Sequence, residues 1–342
     1  MAALVAALFA ATPRPADGCT TFMLADRWLA KSYDWSMGQG LVFINKRGVD
    51  KRALVLDPKD RPARWVSRYG SVTFNQYGRE LPNGGMNEAG LVVEVMWLDG
   101  TVYPRRDARP TVNELQWIQY QLDRYATVRE MVEHRDELRV AQAHGKVHYL
   151  ACDRAAECAA FENLRGKWVV THGKNLTSKT LTNHSYADAV AFQKKARGSR
   201  PSGTGSLARF VRAAALSRDA KKGSVTEATA FSILDAVRVP GRSQWNIVYS
   251  IPDRRVHFRT RRASHIKSLR LDAFDFACGS PVKTLDIDAR APGSVDGRFE
   301  DYSVVTNITL VRASLEPIRK ALPWGAIQKV ADYPTTTACA KK

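Results

Sequence analysis

Cys19 is the residue whose type and position carry the most chemistry in this chain of 342 residues. It directly follows Gly18, and Ala16 lies two residues further back, so small residues occupy the two positions that a signal peptidase reads. Cleavage before Cys19 would place an α-amine and a thiol on one residue. That amine has a reference pKa of about 7.7–8.0, so it supplies a base beside a nucleophile.

Residues 1–18 are predicted to form a removable signal peptide. Residues 2–11 are a run of about ten apolar residues, which suits a signal-peptide core and is too short to cross a bilayer. A lipid anchor on Cys19 is the alternative, although the residues before it fit that motif poorly. We therefore expect an exported protein, periplasmic or secreted.

The composition argues against several classes of partner. The net charge is +18, from 52 Lys and Arg against 34 Asp and Glu. The basic residues are scattered, and no nucleic-acid-binding motif or basic repeat with interleaved aromatics is present, so no nucleic-acid partner is predicted. No later stretch is apolar enough for a transmembrane helix. Zinc-binding spacings are absent, and neither a metal nor a cofactor is predicted.

Four further cysteines predict two disulfides in an exported protein. Cys152 and Cys158 bracket a short turn between two strand-like segments, so a hairpin would bring their thiols together. Cys278 and Cys339 then pair by elimination.

Apolar patterning predicts strands first, then helices, then strands and helices again. The predicted strands are 20–24, 28–33, 41–45, 53–56, 72–74, 90–96, 147–150, 159–162, 245–251 and 255–260. Capping-box patterns at Thr111, Thr127 and Ser224 predict helix starts, and residues 206–216 form a fourth helix candidate. Stacked antiparallel sheets with helices outside satisfy this order.

Three polar residues could assist a cysteine nucleophile. Asp34, on the strand next to Cys19, could hold the amine, or could simply be a polar strand end. Asn183 could donate to an oxyanion, or could serve a turn. Arg209 lies on an otherwise apolar helix, where a charge is either paired or functional. A cysteine–histidine dyad is the rival mechanism, but no histidine lies in a recognisable protease signature.

Together these segments resemble the choloylglycine hydrolase family, which contains bile-salt hydrolases and penicillin V acylases. The resemblance runs from Cys19 to about Thr260. The segments that carry it are Cys19-Thr20-Thr21-Phe22, Tyr33-Asp34-Trp35, Asn83-Gly84-Gly85-Met86-Asn87-Glu88-Ala89-Gly90-Leu91, Leu181-Thr182-Asn183 and Arg209-Phe210-Val211-Arg212.

The resemblance implies an α+β fold, an αββα four-layer sandwich of two stacked antiparallel sheets flanked by helices. This is the N-terminal nucleophile (Ntn) hydrolase fold, and residues 19–342 would form one such domain with Cys19 opening a central strand.

The resemblance also implies roles for the polar residues. The Cys19 thiolate would attack an amide carbonyl, with its own α-amine relaying the proton. Asn183 and the backbone N–H of Trp97 would bind the oxyanion. Asp34 would orient the amine, and Arg209 would complete the polar network.

The sequence departs from the family pattern at two places. Lys31 occupies the place where the family usually has Arg, which keeps a positive charge near the thiol but loses the planar guanidinium. Trp97 replaces a smaller residue that helps to select substrate, so Trp97 and Trp35 are expected to bind an apolar or aromatic acyl group; core packing is the alternative for Trp97. The short segment between Asn183 and Arg209 points to the Gram-negative branch.

The sequence therefore predicts a hydrolase of linear amide C–N bonds acting on a small-molecule amide. Penicillin V-type amides and N-acyl homoserine lactones are the leading substrates, and conjugated bile salts are the alternative. An acyltransferase or a non-catalytic envelope-binding protein on the same fold also stays open, as does a homo-oligomer.

Overall fold

The computed structural model describes residues 18–143, 145–220, 224–322 and 325–341. The predicted signal peptide therefore lies outside the described residues, apart from Gly18. In chain order the strands are β1 (Thr20–Leu24), β2 (Trp28–Asp34), β3 (Leu41–Asn45), β4 (Val49–Arg52), β5 (Arg64–Val66), β6 (Ser71–Asn75), β7 (Gly84–Asn87), β8 (Val92–Trp97), β9 (Thr111–Asn113), β10 (Arg139–Ala141), β11 (Val147–Cys152), β12 (Cys158–Leu164), β13 (Lys167–His172), β14 (Thr180–Leu181), β15 (Ser243–Ser250), β16 (Arg255–Thr260), β17 (Lys267–Arg270), β18 (Lys283–Asp286), β19 (Gly293–Ser294), β20 (Glu300–Asp301) and β21 (Ala338–Cys339).

Among the described residues, the α-helices are fewer than the strands. They are α1 (Glu114–Arg124), α2 (Val128–Glu133), α3 (Tyr186–Lys195), α4 (Ser206–Asp219), α5 (Glu227–Ala236), α6 (Val304–Leu315) and α7 (Ala326–Asp332).

Two large sheets stack face to face. The first has the strand order β14-β1-β2-β15-β16-β17-β19 and the second has the order β13-β12-β11-β8-β7-β6-β3-β18-β20. Neighbouring strands are antiparallel throughout, except for the short parallel pair β17–β19. Helices α4 and α5 pack on the first sheet, and α1 packs on the second. The predicted αββα sandwich is therefore confirmed.

Side-chain alternation along β1 explains how one strand can be buried on both faces. Cys19, just before the strand, and Met23 belong to the core between the two sheets. Phe22 and Leu24 belong to a separate core beneath α4 and α5. Because successive side chains of a strand point to opposite faces, Cys19 faces the second sheet while Thr20 faces α4.

Most predicted elements are confirmed, and three predictions of local structure are wrong. No strand forms over 53–56, because β4 ends at Arg52 and the Leu54 N–H donates to the Gln116 side chain at 2.7 Å. Thr111 lies in β9 and does not cap a helix. Helix α1 is capped instead by Asn113, whose side chain accepts the N–H groups of residues 115 and 116.

The third correction concerns the start of α5. The capping box predicted at Ser224 lies two residues further on, with Thr226 as the N-cap residue. The Thr229 side chain accepts the hydrogen bond from the Thr226 backbone N–H. The box predicted at Thr127 with Glu130 is confirmed for α2.

Both predicted disulfides are present. Cys152–Cys158 closes the β11–β12 hairpin, and Cys278–Cys339 ties the end of the chain to the body. Among the described residues, none of the helices has both the length and the apolarity needed to cross a membrane.

We predict that the two disulfides contribute unequally to stability. Because Cys278–Cys339 closes a separation of 61 residues and Cys152–Cys158 one of 6, replacing each pair by Ala should lower the free energy of unfolding by about 4 and about 2 kcal/mol. Guanidinium unfolding of the two double variants beside the parent protein measures this. Equal losses, or a larger loss for the hairpin pair, would contradict the prediction.

Candidate active site

Cys19 lies at the start of a central strand, and it is the cysteine that the two disulfides leave free. Its side chain is buried at 5% exposure. Burial raises the pKa of the Cys19 thiol, and the charge of Asp34 acts in the same direction. Lys31, Arg209 and a hydrogen bond from the Asp34 backbone lower the same pKa but do not outweigh burial. The thiol therefore needs a neighbouring base to become a nucleophile.

Asp34 lies at the end of β2, with its carboxylate fully buried. Its Oδ1 accepts hydrogen bonds from the hydroxyls of Ser32 at 2.5 Å and Ser243 at 2.6 Å. Burial raises the pKa of Asp34, while Arg209 and the two hydroxyls lower it. Its Oδ2 is buried and accepts no hydrogen bond from the described part of the chain. One carboxylate oxygen thus remains open to a further donor.

Arg209 connects the polar residues from the side of α4. Its guanidinium is fully buried and donates to the Cys19 carbonyl at 2.8 Å and to the Thr20 hydroxyl at 2.6 Å. It also donates to Asn183 Oδ1 at 2.9 Å, and its Nη1 lies 4.0 Å from Asp34 Oδ2. A buried cation is stable only when it is paired and hydrogen-bonded, and Arg209 meets both conditions.

The orientation of the Asn183 amide follows from its two neighbours. Arg209 can only donate, so Asn183 Oδ1 must face it, and Nδ2 then donates to the Trp97 carbonyl at 2.9 Å. An amide nitrogen carries two hydrogens, so one N–H remains for a substrate oxygen. Trp97 contacts Asn183 through its carbonyl, and its backbone N–H as an oxyanion donor stays a prediction.

Gly18 lies directly against the Asn183 side chain. A Cβ placed on Gly18 would come within 2.3 Å of the Asn183 amide, so position 18 has no room for a side chain. In the chain with Gly18 attached, the peptide before Cys19 therefore occupies the space beside the Asn183 amide.

Lys31 lies on the face of β2 that meets the second sheet, which is also the face toward which the Cys19 side chain points. Its ammonium donates to the Val95 carbonyl and to Met96 Sδ, the latter at 3.3 Å, and lies 3.6 Å from Glu94 Oε2. Glu94 also accepts from Tyr249 at 2.6 Å. Burial raises the pKa of Glu94 to about 7, although Lys31 and Tyr249 work against the shift. The predicted positive charge near Cys19 is therefore present, held by a buried carboxylate.

An apolar cavity of about 120 Å³ opens beside Cys19. Trp35 and Trp97 both line it, with ring centroids 5.8 Å apart. The structure therefore brings all seven predicted site residues to one region. Their catalytic and binding roles remain predictions.

Two further contacts at the site were not predicted from the sequence. Ser243 reaches Asp34 from β15, 209 residues away, and no local pattern indicates this. His148 is buried between Glu162, at 3.0 Å, and the Thr182 carbonyl, at 2.6 Å, and so holds the backbone next to Asn183. In the sequence, only the position of His148 in the strand-like segment 147–150 indicated that its side chain would be buried. Within the described residues, no group of three metal-ligating side chains is found.

Comparisons with known proteins identify similar sequences and folds. No family model matches the chain. The penicillin V acylase of Pectobacterium atrosepticum is 29% identical over 228 residues, which span 55% of this chain and 58% of that protein. The solved penicillin V acylase from Agrobacterium tumefaciens has a TM-score of 0.73 at 24% identity, covering 84% of this chain and 98% of its own.

A mutant conjugated bile acid hydrolase from Clostridium perfringens shares the same fold. Its TM-score is 0.66 at 15% identity, with 82% of this chain and 98% of that chain covered. The predicted resemblance to the choloylglycine hydrolase family is confirmed.

The match to the curated acylase extends over little more than half of that protein's length. The solved neighbours establish that the chain has their αββα fold, whereas its reaction and its substrate are matters for proposal.

We predict that Glu94→Gln removes part of the pH dependence of the free energy of unfolding. The folded-state pKa of Glu94 is raised from 4.5 to about 7, so its contribution to stability is fully present below about 4.5 and is lost as pH rises through about 7. Denaturant unfolding across this window should show the parent losing stability relative to the variant. Glu88→Gln, at a partly exposed carboxylate, is the control. Parallel pH profiles for the parent and Glu94→Gln would refute the prediction.

Proposed function

We propose that the chain is exported, is cleaved before Cys19 and then hydrolyses linear amides through a thioester on Cys19. The observation that carries this proposal is the convergence of Cys19, Asp34, Asn183 and Arg209 beside an apolar cavity that Cys19 and Asp34 line. The names of the acylase relatives and the shared fold support it.

Removal of the peptide up to Gly18 would supply the missing base. Burial keeps the pKa of the thiol raised, so the thiol is mainly protonated at rest. The new α-amine would take the thiol proton as the sulfur bonds to the amide carbon. The same proton would pass to the leaving amine as the C–N bond breaks. Water would then attack the thioester and give a proton to the amine, and the amine would return that proton to the sulfur as the C–S bond breaks.

Asp34 offers a partner for that amine. Its Oδ2 has no hydrogen bond within the described part of the chain, while Oδ1 is held by two hydroxyls. A carboxylate held at one oxygen and open at the other is suited to orient the newly exposed amine of Cys19.

Asn183 offers a donor for the tetrahedral intermediate. Its oxygen is fixed by Arg209 and its nitrogen is fixed by the Trp97 carbonyl, so the remaining N–H has a set direction. A donor that is already oriented stabilises developing negative charge without reorganisation. Cleavage before Cys19 would also free the space that Gly18 fills against this amide.

The cavity favours an apolar acyl group. Trp35 and Trp97 line it together with Cys19, and most of the remaining lining is aliphatic or aromatic. We therefore propose penicillin V-type amides and N-acyl homoserine lactones as the substrate classes to test first.

We predict that activity requires a free N-terminal Cys19. The mature protein starting at Cys19 should release phenoxyacetate from penicillin V or the fatty acid from decanoyl homoserine lactone. The uncleaved chain should not, because its Cys19 nitrogen is an amide and Gly18 lies on Asn183. Mature Cys19→Ala should also be inactive. Equal turnover by the uncleaved chain would sink the mechanism, and turnover only with an added amine acceptor would indicate an acyltransferase.

We predict that Asn183→Ala lowers kcat by about 10²–10³-fold with little change in KM, because the lost donor acts mainly in the transition state. Steady-state kinetics on the mature protein measures this. Asn246→Ala is the control and should have the same kcat and KM as the parent protein. Asn246 lies on β15 of the first sheet. A loss confined to KM would assign Asn183 to substrate binding alone.

A further inference from the structure

The cavity beside Cys19 has a wall that comes from the end of the chain. We call this part the C-terminal segment and define it as residues 304–322 and 325–333. It contributes Leu315, Leu322, Ala326 and Val330 to the cavity lining. The resemblance to the choloylglycine hydrolase family ends near Thr260, so these residues lie outside the stretch that carries it.

The C-terminal segment packs on the body through an apolar cluster. Leu315 and Ala331 are buried there against Leu54, Tyr77 and Leu81. Four of these residues, Leu54, Tyr77, Leu81 and Leu315, also line the cavity. The C-terminal segment and the lining residues beside it therefore share one packed core, which fixes their relative positions.

Polar contacts and a disulfide hold the segment at its far end. The Tyr333 hydroxyl donates to the Arg52 carbonyl at 2.9 Å, and the Lys329 ammonium donates to the Val55 carbonyl at 2.9 Å. Beyond the segment, β21 pairs with β4, and Cys339 is bonded to Cys278. Near its start, the Asn307 side chain accepts from the Arg79 N–H at 2.8 Å.

The lining of the cavity is mixed in its chemistry. It includes the indoles of Trp35 and Trp97 and the polar side chains of Asn83, Asn113 and Glu114. The described residues of the C-terminal segment contribute Leu, Val and Ala side chains, which offer no side-chain hydrogen bond to a hydroxyl or carbonyl on the acyl group. The surface that this segment contributes is therefore suited to contact with a plain hydrocarbon.

We propose that the C-terminal segment is the specificity-determining wall of the acyl site, and that it sets the longest straight hydrocarbon chain the enzyme accepts. This inference rests on the proposed amide hydrolysis and adds the substrate class. A chain attached at Cys19 would run past the two tryptophans toward Ala326 and Val330. Each methylene buried along this path should raise kcat/KM about fourfold, until the chain meets the wall.

Two substitutions move the wall in opposite directions. Ala326→Leu extends it into the cavity and should lower kcat/KM for the longest accepted acyl chain by about 10–100-fold, with little effect on short chains. Val330→Ala withdraws it and should shift the preferred chain to a longer one. Ile327→Ala is the matched control, because Ile327 lies on the same helix and in the same apolar cluster but does not line the cavity.

The test uses mature protein and a series of straight-chain acyl p-nitroanilides from acetyl to dodecanoyl. We expect a chain-length optimum that Ala326→Leu shortens, Val330→Ala lengthens and Ile327→Ala leaves in place. Thermal melts check that each variant folds. An optimum that is the same in all four proteins would overturn the proposal.

A binding measurement separates this inference from the proposed reaction. Calorimetric titration of mature Cys19→Ala with straight-chain fatty acids, from butyrate to dodecanoate, needs no turnover. The same chain-length shifts in Kd support the wall even if no amide is cleaved, in which case only the proposed function fails. Cleavage of amides with chain-length profiles unaffected by either wall variant supports the reaction and rejects the wall.

Discussion

The buried guanidinium of Arg209 is the interaction on which the rest of the site depends. It donates to the carbonyl of Cys19, to the hydroxyl of Thr20 and to the amide of Asn183, and it lies beside Asp34. Those groups come from the start of β1, the end of β2 and the loop after β14, whereas Arg209 itself lies on α4. A charge with no access to water must keep all its partners, and breaking such a set typically costs about 3–5 kcal/mol. The geometry of the site is thus enforced by the energetics of burial.

The thiol lies between opposing electrostatic influences. Burial and Asp34 raise the pKa of Cys19, whereas Lys31 and Arg209 lower it, and burial prevails. In the proposed mechanism this balance makes the α-amine indispensable, since the surrounding charges alone do not release the proton. Lys31 also forms an ion pair with Glu94, a carboxylate whose own pKa is raised to about 7. The positive charge of Lys31 therefore acts on Glu94 as well as on the Cys19 thiol.

The four-layer architecture separates the two halves of the site. Side chains on one face of β1 and β2 meet the second sheet, where Met96 and Glu94 surround Lys31. Side chains on the other face meet α4, where Arg209 lies. Cys19 stands at the strand end where both halves come together. The cavity opens beside Cys19, so in the proposed reaction an acyl group bound there would lie beside the thiol.

Local patterns in the sequence predicted much of this arrangement. The hairpin formed by β1 and β2, the buried strand β8 and the disulfide of Cys152 with Cys158 all follow from nearby residues. The predicted start of α1 at Thr111 was wrong because Asn113, two residues on, caps the helix. The predicted strand at 53–56 was wrong because the Leu54 backbone N–H donates to the Gln116 side chain and not to a neighbouring strand.

By itself the sequence determined which residues are candidates for chemistry and, through the period of two, which strand face each occupies. Only the tertiary structure decided their partners: Arg209 meets Cys19 across 190 residues, Ser243 meets Asp34 across 209, and the C-terminal segment lines the cavity. The physical reason is that periodicity is a property of neighbouring residues. A hydrogen bond or a cavity wall between distant segments depends on how whole layers pack.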